Sequence, residues 1–291
     1  MSLIRWCQSL VAILFVGAGW PLSALAQSSP QSACPNPAAP QKTAIYFING
    51  VTTTLDEARL NGGKLEMEFV KQLGTMAPSV QAMCHQFFLN PNPTSGPARD
   101  LLEASQQRLN VTPTAFWRGL EGAGLYAPAV IQQALQGPMT DANQVDQAAI
   151  QRHVTAYRSQ IASPSCRRVL LVPHSQGNLY ANDSYDRVFN QAPAPPPGTL
   201  KIVGVATPDN EVKGSGRYRT SITDVVIAAI RLVLPSTLPG NTNWGSSPLL
   251  FSPTYSGGHS FIGYLSAEPS RTHILSDIES VLGELAFVNP C

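Results

Sequence analysis

Charged residues are scarce in this chain: Asp, Glu, Lys and Arg make up 13% of its 291 residues, about half the usual share. The few charges nearly cancel, 19 basic against 18 acidic, for a formal net charge of +1. Such a balance creates no basic field to gather phosphate backbones or anionic lipid, so nucleic acid is not an expected partner. The signatures of cofactor and metal chemistry are missing as well. No G-x-G-x-x-G, Walker, H-E-x-x-H or EF-hand sequence occurs, and none of the 5 cysteines lies in a C-x-x-C pair, so no cofactor and no metal site is expected. Low charge does not mean disorder here. With 43% apolar residues, a chain of this length buries a core without staples.

The first 26 residues carry a single charge, Arg5, followed by the apolar run Leu10 to Ala18 and the small-residue triplet Ala24-Leu25-Ala26. That is the layout of a secretory signal peptide over 1–26, cleaved ahead of Gln27. The run falls short of the roughly 20 residues of a bilayer span and is broken by Gly17, Gly19 and Pro21, so no stable membrane span is expected after cleavage. The expectation is an exported protein, periplasmic or secreted. Cleavage removes Cys7 and leaves Cys34, Cys84, Cys166 and Cys291, an even set that reads as two disulfides with three allowed connectivities.

Residues 27–42, rich in Ser, Pro, Gln and Ala, read as an extended leader, and the folded domain is expected over 43–291. Thr43 to Ile48 is a short apolar and β-branched run suited to a strand buried on both faces, closed by Asn49-Gly50. Helical spacing follows over residues 55–73, then a second strand candidate from Val80 to Leu89. Residues 90–140 are Pro-rich and Gly-rich at both ends, with apolar helical stretches inside, and read as a helical insertion. A helix from about Asn143 to Ile161, a buried strand Arg168 to Val172, a helix soon after Ser175, strands Leu200 to Ala206 and Arg217 to Thr223, and a last helix from about Ser270 to Leu285 complete the pattern. Strands alternating with helices imply an α/β fold, a doubly wound and mostly parallel sheet.

The segment Val169-Leu170-Leu171-Val172-Pro173-His174-Ser175-Gln176-Gly177-Asn178 carries the chemistry. A buried strand runs into a serine with glycine two residues on, and a helix follows at once. A serine in that tight turn has its Oγ exposed above the sheet's carboxyl edge, near the positive end of a helix. Gly177 is required there because a β-carbon would crowd the neighbouring backbone. The segment resembles the nucleophile elbow of the serine esterase and lipase-like branch of the α/β-hydrolases, whose elbow often reads His-Ser-Gln-Gly. The sequence departs from G-x-S-x-G at one place, where Pro173 stands for the first glycine. The resemblance implies the α/β-hydrolase fold with a helical cap insertion, and a supporting place for His174.

A serine hydroxyl needs a base in hydrogen-bond reach, and the base needs an orienting acid. The order Ser, acid, His is present. His259, in the loop Ser256-Gly257-Gly258-His259-Ser260, is the expected base, rather than His273 within the last helix. Asp224, closing the strand that starts at Arg217, is the expected acid, with Asp209 in Thr207-Pro208-Asp209-Asn210 as its rival. The oxyanion donors expected are the amides of Gln176, after the nucleophile, and of Val51, after Asn49-Gly50. Residues 90–140 and 230–253 are candidates for a cap over the serine. Asn110-Val111-Thr112 and Asn182-Asp183-Ser184 match the glycosylation sequon.

These residues point to an exported serine hydrolase that cleaves a small-molecule or lipid ester through an acyl-enzyme. Two alternatives stay open. The substrate class could make it a lipase, phospholipase or acyltransferase, and Pro173 leaves room for a catalytically silent hydrolase-fold protein that binds an apolar ligand.

Overall fold

A computed structural model of the chain describes residues 32–33, 42–50, 53–92, 147–162, 165–224, 226–228, 231, 235–243 and 258–286. The expected signal peptide, Cys34 and Cys291, Val51 and nearly all of the 90–140 insertion lie outside them. Strand β2, Lys42–Ile48, is buried at six of its seven positions, as its unbroken apolar run requires. Helix α1, Leu55–Leu73, starts at a capping box in which Thr54 Oγ1 accepts the Glu57 amide and the Glu57 carboxylate accepts the Thr54 amide. Its inner face buries Ala58, Leu65 and Phe69 at helical spacing.

The second strand is shorter than expected. Pro78 opens a one-turn helix, α2 (Pro78–Gln81), so Val80 is a buried helical residue and β3 runs only over Cys84–Leu89. The next elements are α3 (Gln147–Ile161), β4 (Arg168–Pro173), α4 (Gly177–Asn190) and β5 (Leu200–Val205). Strand β6 is Arg217–Arg219, not a run to Thr223. Past Arg219 the chain leaves the ladder: Thr220 donates its amide to the Asn241 side chain, and the Thr223 amide turns back onto Ser221 Oγ. The chain ends in two helices, an unexpected short α5 (Phe261–Ser266) and α6 (Glu268–Glu284), which begins two residues before the expected start.

The sheet order is β1-β3-β2-β4-β5-β6. Strands β2 to β6 are parallel; β1, the two leader residues Ser32–Ala33, lies antiparallel on β3. Alternate residues of β4 feed opposite cores. Leu170 and Val172 pack with α1, α5 and α6, while Val169 and Leu171 pack with α3 and α4. Truncating any of these leucines to alanine costs about 2–5 kcal/mol. The class is thus α/β, with a mostly parallel sheet covered on both faces. Ion pairs fasten the β5–β6 edge to α6: Lys201 and Arg217 to Glu284, and Arg219 to the buried Asp277.

Strand β2 has β3 on one side and β4 on the other, so successive crossovers leave it in opposite directions. In such sheets a ligand usually binds at this reversal, outside the carboxyl ends of the two strands, here β2 and β4. Among the described residues, no helix is long and apolar enough to cross a membrane.

Candidate active site

Strand β4 ends at that reversal in strand order. Its ladder to β5 runs from Val169 to Leu171, lapses at Pro173, which has no N–H to give, and resumes in the His174–Val205 bridge. The Ser175 amide then donates to the Val205 carbonyl at 3.0 Å. Proline therefore forgoes one rung of the ladder while the turn beyond it stays pinned. Ser175 itself sits at φ +55°, a left-handed conformation that a non-glycine residue adopts only when its surroundings impose it. Two neighbours do so. Asn178 Nδ2 donates to the Ser175 carbonyl at 2.8 Å and to the Val205 carbonyl at 3.0 Å. Gly177 lets the turn close on β2, since a β-carbon there would stand 2.6 Å from the Ile48 carbonyl oxygen and 2.9 Å from that of Asn49.

His259 Nε2 lies 2.8 Å from Ser175 Oγ, and His259 Nδ1 lies 2.9 Å from Asp224 Oδ2 and 3.1 Å from Oδ1. The carboxylate only accepts, so Nδ1 carries the proton and Nε2 is left to accept from the serine hydroxyl. All three residues are buried, and the Asp224 side chain has no exposure at all. The structure thus brings together Ser175, His259 and Asp224. It does not bring in their rivals. Asp209 accepts from Asn182 Nδ2 and from the Asn210 amide, and His273 Nδ1 shares a hydrogen bond with the Thr242 hydroxyl.

On the donor side, the Ser175 and Gly177 amides are spent on Val205 and His174. The Gln176 amide between them meets no acceptor among the described residues, as a donor reserved for a bound oxyanion would be. Gly50 faces the serine directly. Val51, the other expected donor, lies outside the described residues. The loop before it is braced by Asn49, which donates to the Gly50 carbonyl and accepts the Asn92 amide.

His174 links two of these pieces. Its Nε2 donates to the His259 carbonyl at 2.8 Å, and its ring packs 5.1 Å from that of His259. Burial first, then the neighbouring His259, pushes its pKa well below the usual histidine range, so it stays neutral and keeps Nε2–H as a donor. Two residues of the site had no role in the sequence reading. Asn178 follows the elbow but looks like an ordinary helical polar residue. Tyr264, whose hydroxyl donates to Asp224 Oδ2 at 2.8 Å, reads in sequence as a plain core aromatic. The sequon at Asn182 is not a free acceptor, because its side chain is buried and bonded to Asp209, Glu211 and Lys213.

Among the described residues no group of His, Cys, Asp and Glu is arranged to hold a metal ion. Comparison with known proteins returns no matching family model, no matching curated protein and no matching solved structure.

Proposed function

We propose that the protein is an exported serine hydrolase of the α/β-hydrolase type that cleaves carboxylic esters through an acyl-enzyme. One observation carries this reading: the unbroken line from Ser175 Oγ through His259 to Asp224, with both links at 2.8–2.9 Å. In the first half-reaction Ser175 Oγ attacks the ester carbonyl carbon as its proton passes to His259 Nε2. The tetrahedral oxyanion is held by the Gln176 amide and, in this proposal, by Val51. The intermediate collapses with cleavage of the bond to the alkoxy group, which leaves as the alcohol with the proton from His259. Water then repeats the sequence on the acyl-serine, releasing the acid and restoring the hydroxyl. Asp224 holds the imidazole in the tautomer that accepts from serine and faces the imidazolium formed in each step. Export rests on the signal-like segment over 1–26.

The test is reaction of the folded mature protein with a fluorescent fluorophosphonate, with the adduct mapped by peptide mass spectrometry. Labelling at Ser175 is expected, abolished in Ser175→Ala and slowed roughly 10^6-fold in His259→Ala. A protein proven folded that takes no label would overturn the mechanism. A panel of p-nitrophenyl esters of increasing chain length then separates short esters from lipid substrates.

A further inference from the structure

Asp224 receives more donors than the imidazole alone. The Val226 and Ile227 amides donate to Oδ1 at 3.1 and 3.0 Å, and the Tyr264 hydroxyl donates to Oδ2. The direction of the Tyr264 bond is settled by the carboxylate, which can only accept. The Ser221 amide donates to the phenolic oxygen at 2.7 Å, so the single hydroxyl proton is left for Asp224. His259 Nδ1 reaches the same Oδ2. Both donors come from one stretch of chain, since His259 immediately precedes the cap of α5 at Ser260 and Tyr264 stands within that helix. The ring of Tyr264 is fully buried, edge-on to His174 at 6.4 Å.

Building on the proposed triad, we infer that Tyr264 is a positioning residue that tunes the basicity of His259 by sharing Asp224 Oδ2 with it. A carboxylate oxygen that accepts from a phenol has less electron density to offer an imidazolium. The hydroxyl therefore helps hold the carboxylate beside the imidazole and moderates how strongly the imidazole retains the proton taken from Ser175. The proton returned to the leaving alcohol is released more readily for it. Around His259 stand Asp224, bonded to its Nδ1, and His174, whose ring packs against it, with Tyr264 reaching it through the shared Asp224 Oδ2. The buried acids on the helices packed against α5 are engaged elsewhere: Glu68 of α1 with Lys64 and Lys71, and Asp277 of α6 with Arg219.

Tyr264→Phe removes the hydroxyl and keeps the ring. The expected result is an upward move of about 0.5–1 pH unit in the acid limb of fluorophosphonate labelling and of kcat/KM. The NMR titration midpoint of the His259 imidazole should move the same way. A purely structural role would lower rates equally at every pH and leave that midpoint unchanged, which would overturn the inference. Fluorotyrosine incorporation supplies an isosteric counter-test that keeps the buried hydroxyl. The more acidic phenol donates more strongly, so the midpoint should move down, and an unchanged or raised midpoint contradicts the inference. The imidazole titration needs no turnover. Absence of label on the folded wild-type protein would defeat the hydrolase reading, while the titrations decide the part played by Tyr264 separately.

Discussion

Gly50 and Ser175 face each other across the gap between two neighbouring strands: a β-carbon on Gly50 would stand 2.7 Å from the β-carbon of Ser175 and 3.2 Å from the His174 carbonyl oxygen. Neither atom belongs to a flexible side chain that could swing away. Gly50→Ala should therefore displace the serine, slowing fluorophosphonate labelling by about 100-fold, with about 1–3 kcal/mol lost in stability. Labelling at the wild-type rate in the folded variant would mean that the two loops separate without consequence.

Asn178 should matter in two measurements at once. Asn178→Ala removes both hydrogen bonds that hold the Ser175 turn, at a cost of about 1–2 kcal/mol in denaturant unfolding, and lowers the labelling rate. Asn178→Asp should be worse on both counts, because a buried carboxylate would confront two carbonyl oxygens. The reverse order of the two variants would exclude the hydrogen-bonding account.

Acid should unfold this protein through its histidines. Burial lowers the pKa of His85 and of His174, and takes His153 down to about 3. In an unfolded chain each titrates near 6.5. Below that pH the unfolded state takes up protons that the folded state refuses, so stability is fully present above about 6.5 and is lost as pH falls towards 3. Each histidine contributes a slope of about 1.4 kcal/mol per pH unit across its window. His153→Leu should flatten the loss between pH 7.5 and 5 by about 2 kcal/mol in urea titrations at fixed salt. An unchanged slope would remove His153 from the explanation.

The strand register points to one cysteine pairing to test. Ser32 pairs with Gln86 and Ala33 with His85, so β1 runs antiparallel to β3 toward its first residue, Cys84. We expect Cys34–Cys84 and Cys166–Cys291, seen as two linked peptides in a non-reduced digest. A peptide joining Cys84 to Cys166 would contradict the register. Reduction should cost about 2–5 kcal/mol per bond.

Much of the fold was readable because a parallel sheet buried on both faces forces nearly continuous apolar runs, as in β2 and β4 and, apart from Lys201, in β5. Where the sequence reading overreached, local chemistry prevailed over apolar content. Pro78 started a helix that runs into the first two residues of the expected second strand, and the hydroxyls of Ser221 and Thr223 turned the chain out of β6. The serine and histidine of the site were legible because their neighbours, glycine and a strand end, have few other uses. Asp224 could be favoured over Asp209 from its place in the chain, but only the folded contacts separate the two. Tyr264 was out of reach: a tyrosine in a short apolar helix carries the same pattern whether its hydroxyl serves a carboxylate or merely finds a partner.

The three residues of the proposed triad come from distant parts of the chain. Ser175 and His259 are 84 positions apart, and Asp224 and His259 are 35 apart. Their hydrogen bonds exist only once β4, the turn beyond β6 and α5 have all reached their final places, so contacts of this range form late and together. On the proposed mechanism, the fraction of molecules that accept a covalent serine probe is then a headcount of native chains. A refolding reaction sampled with such a probe would report completion of the last long-range contacts, which far-ultraviolet spectroscopy, registering helices and strands as they appear, would announce too early.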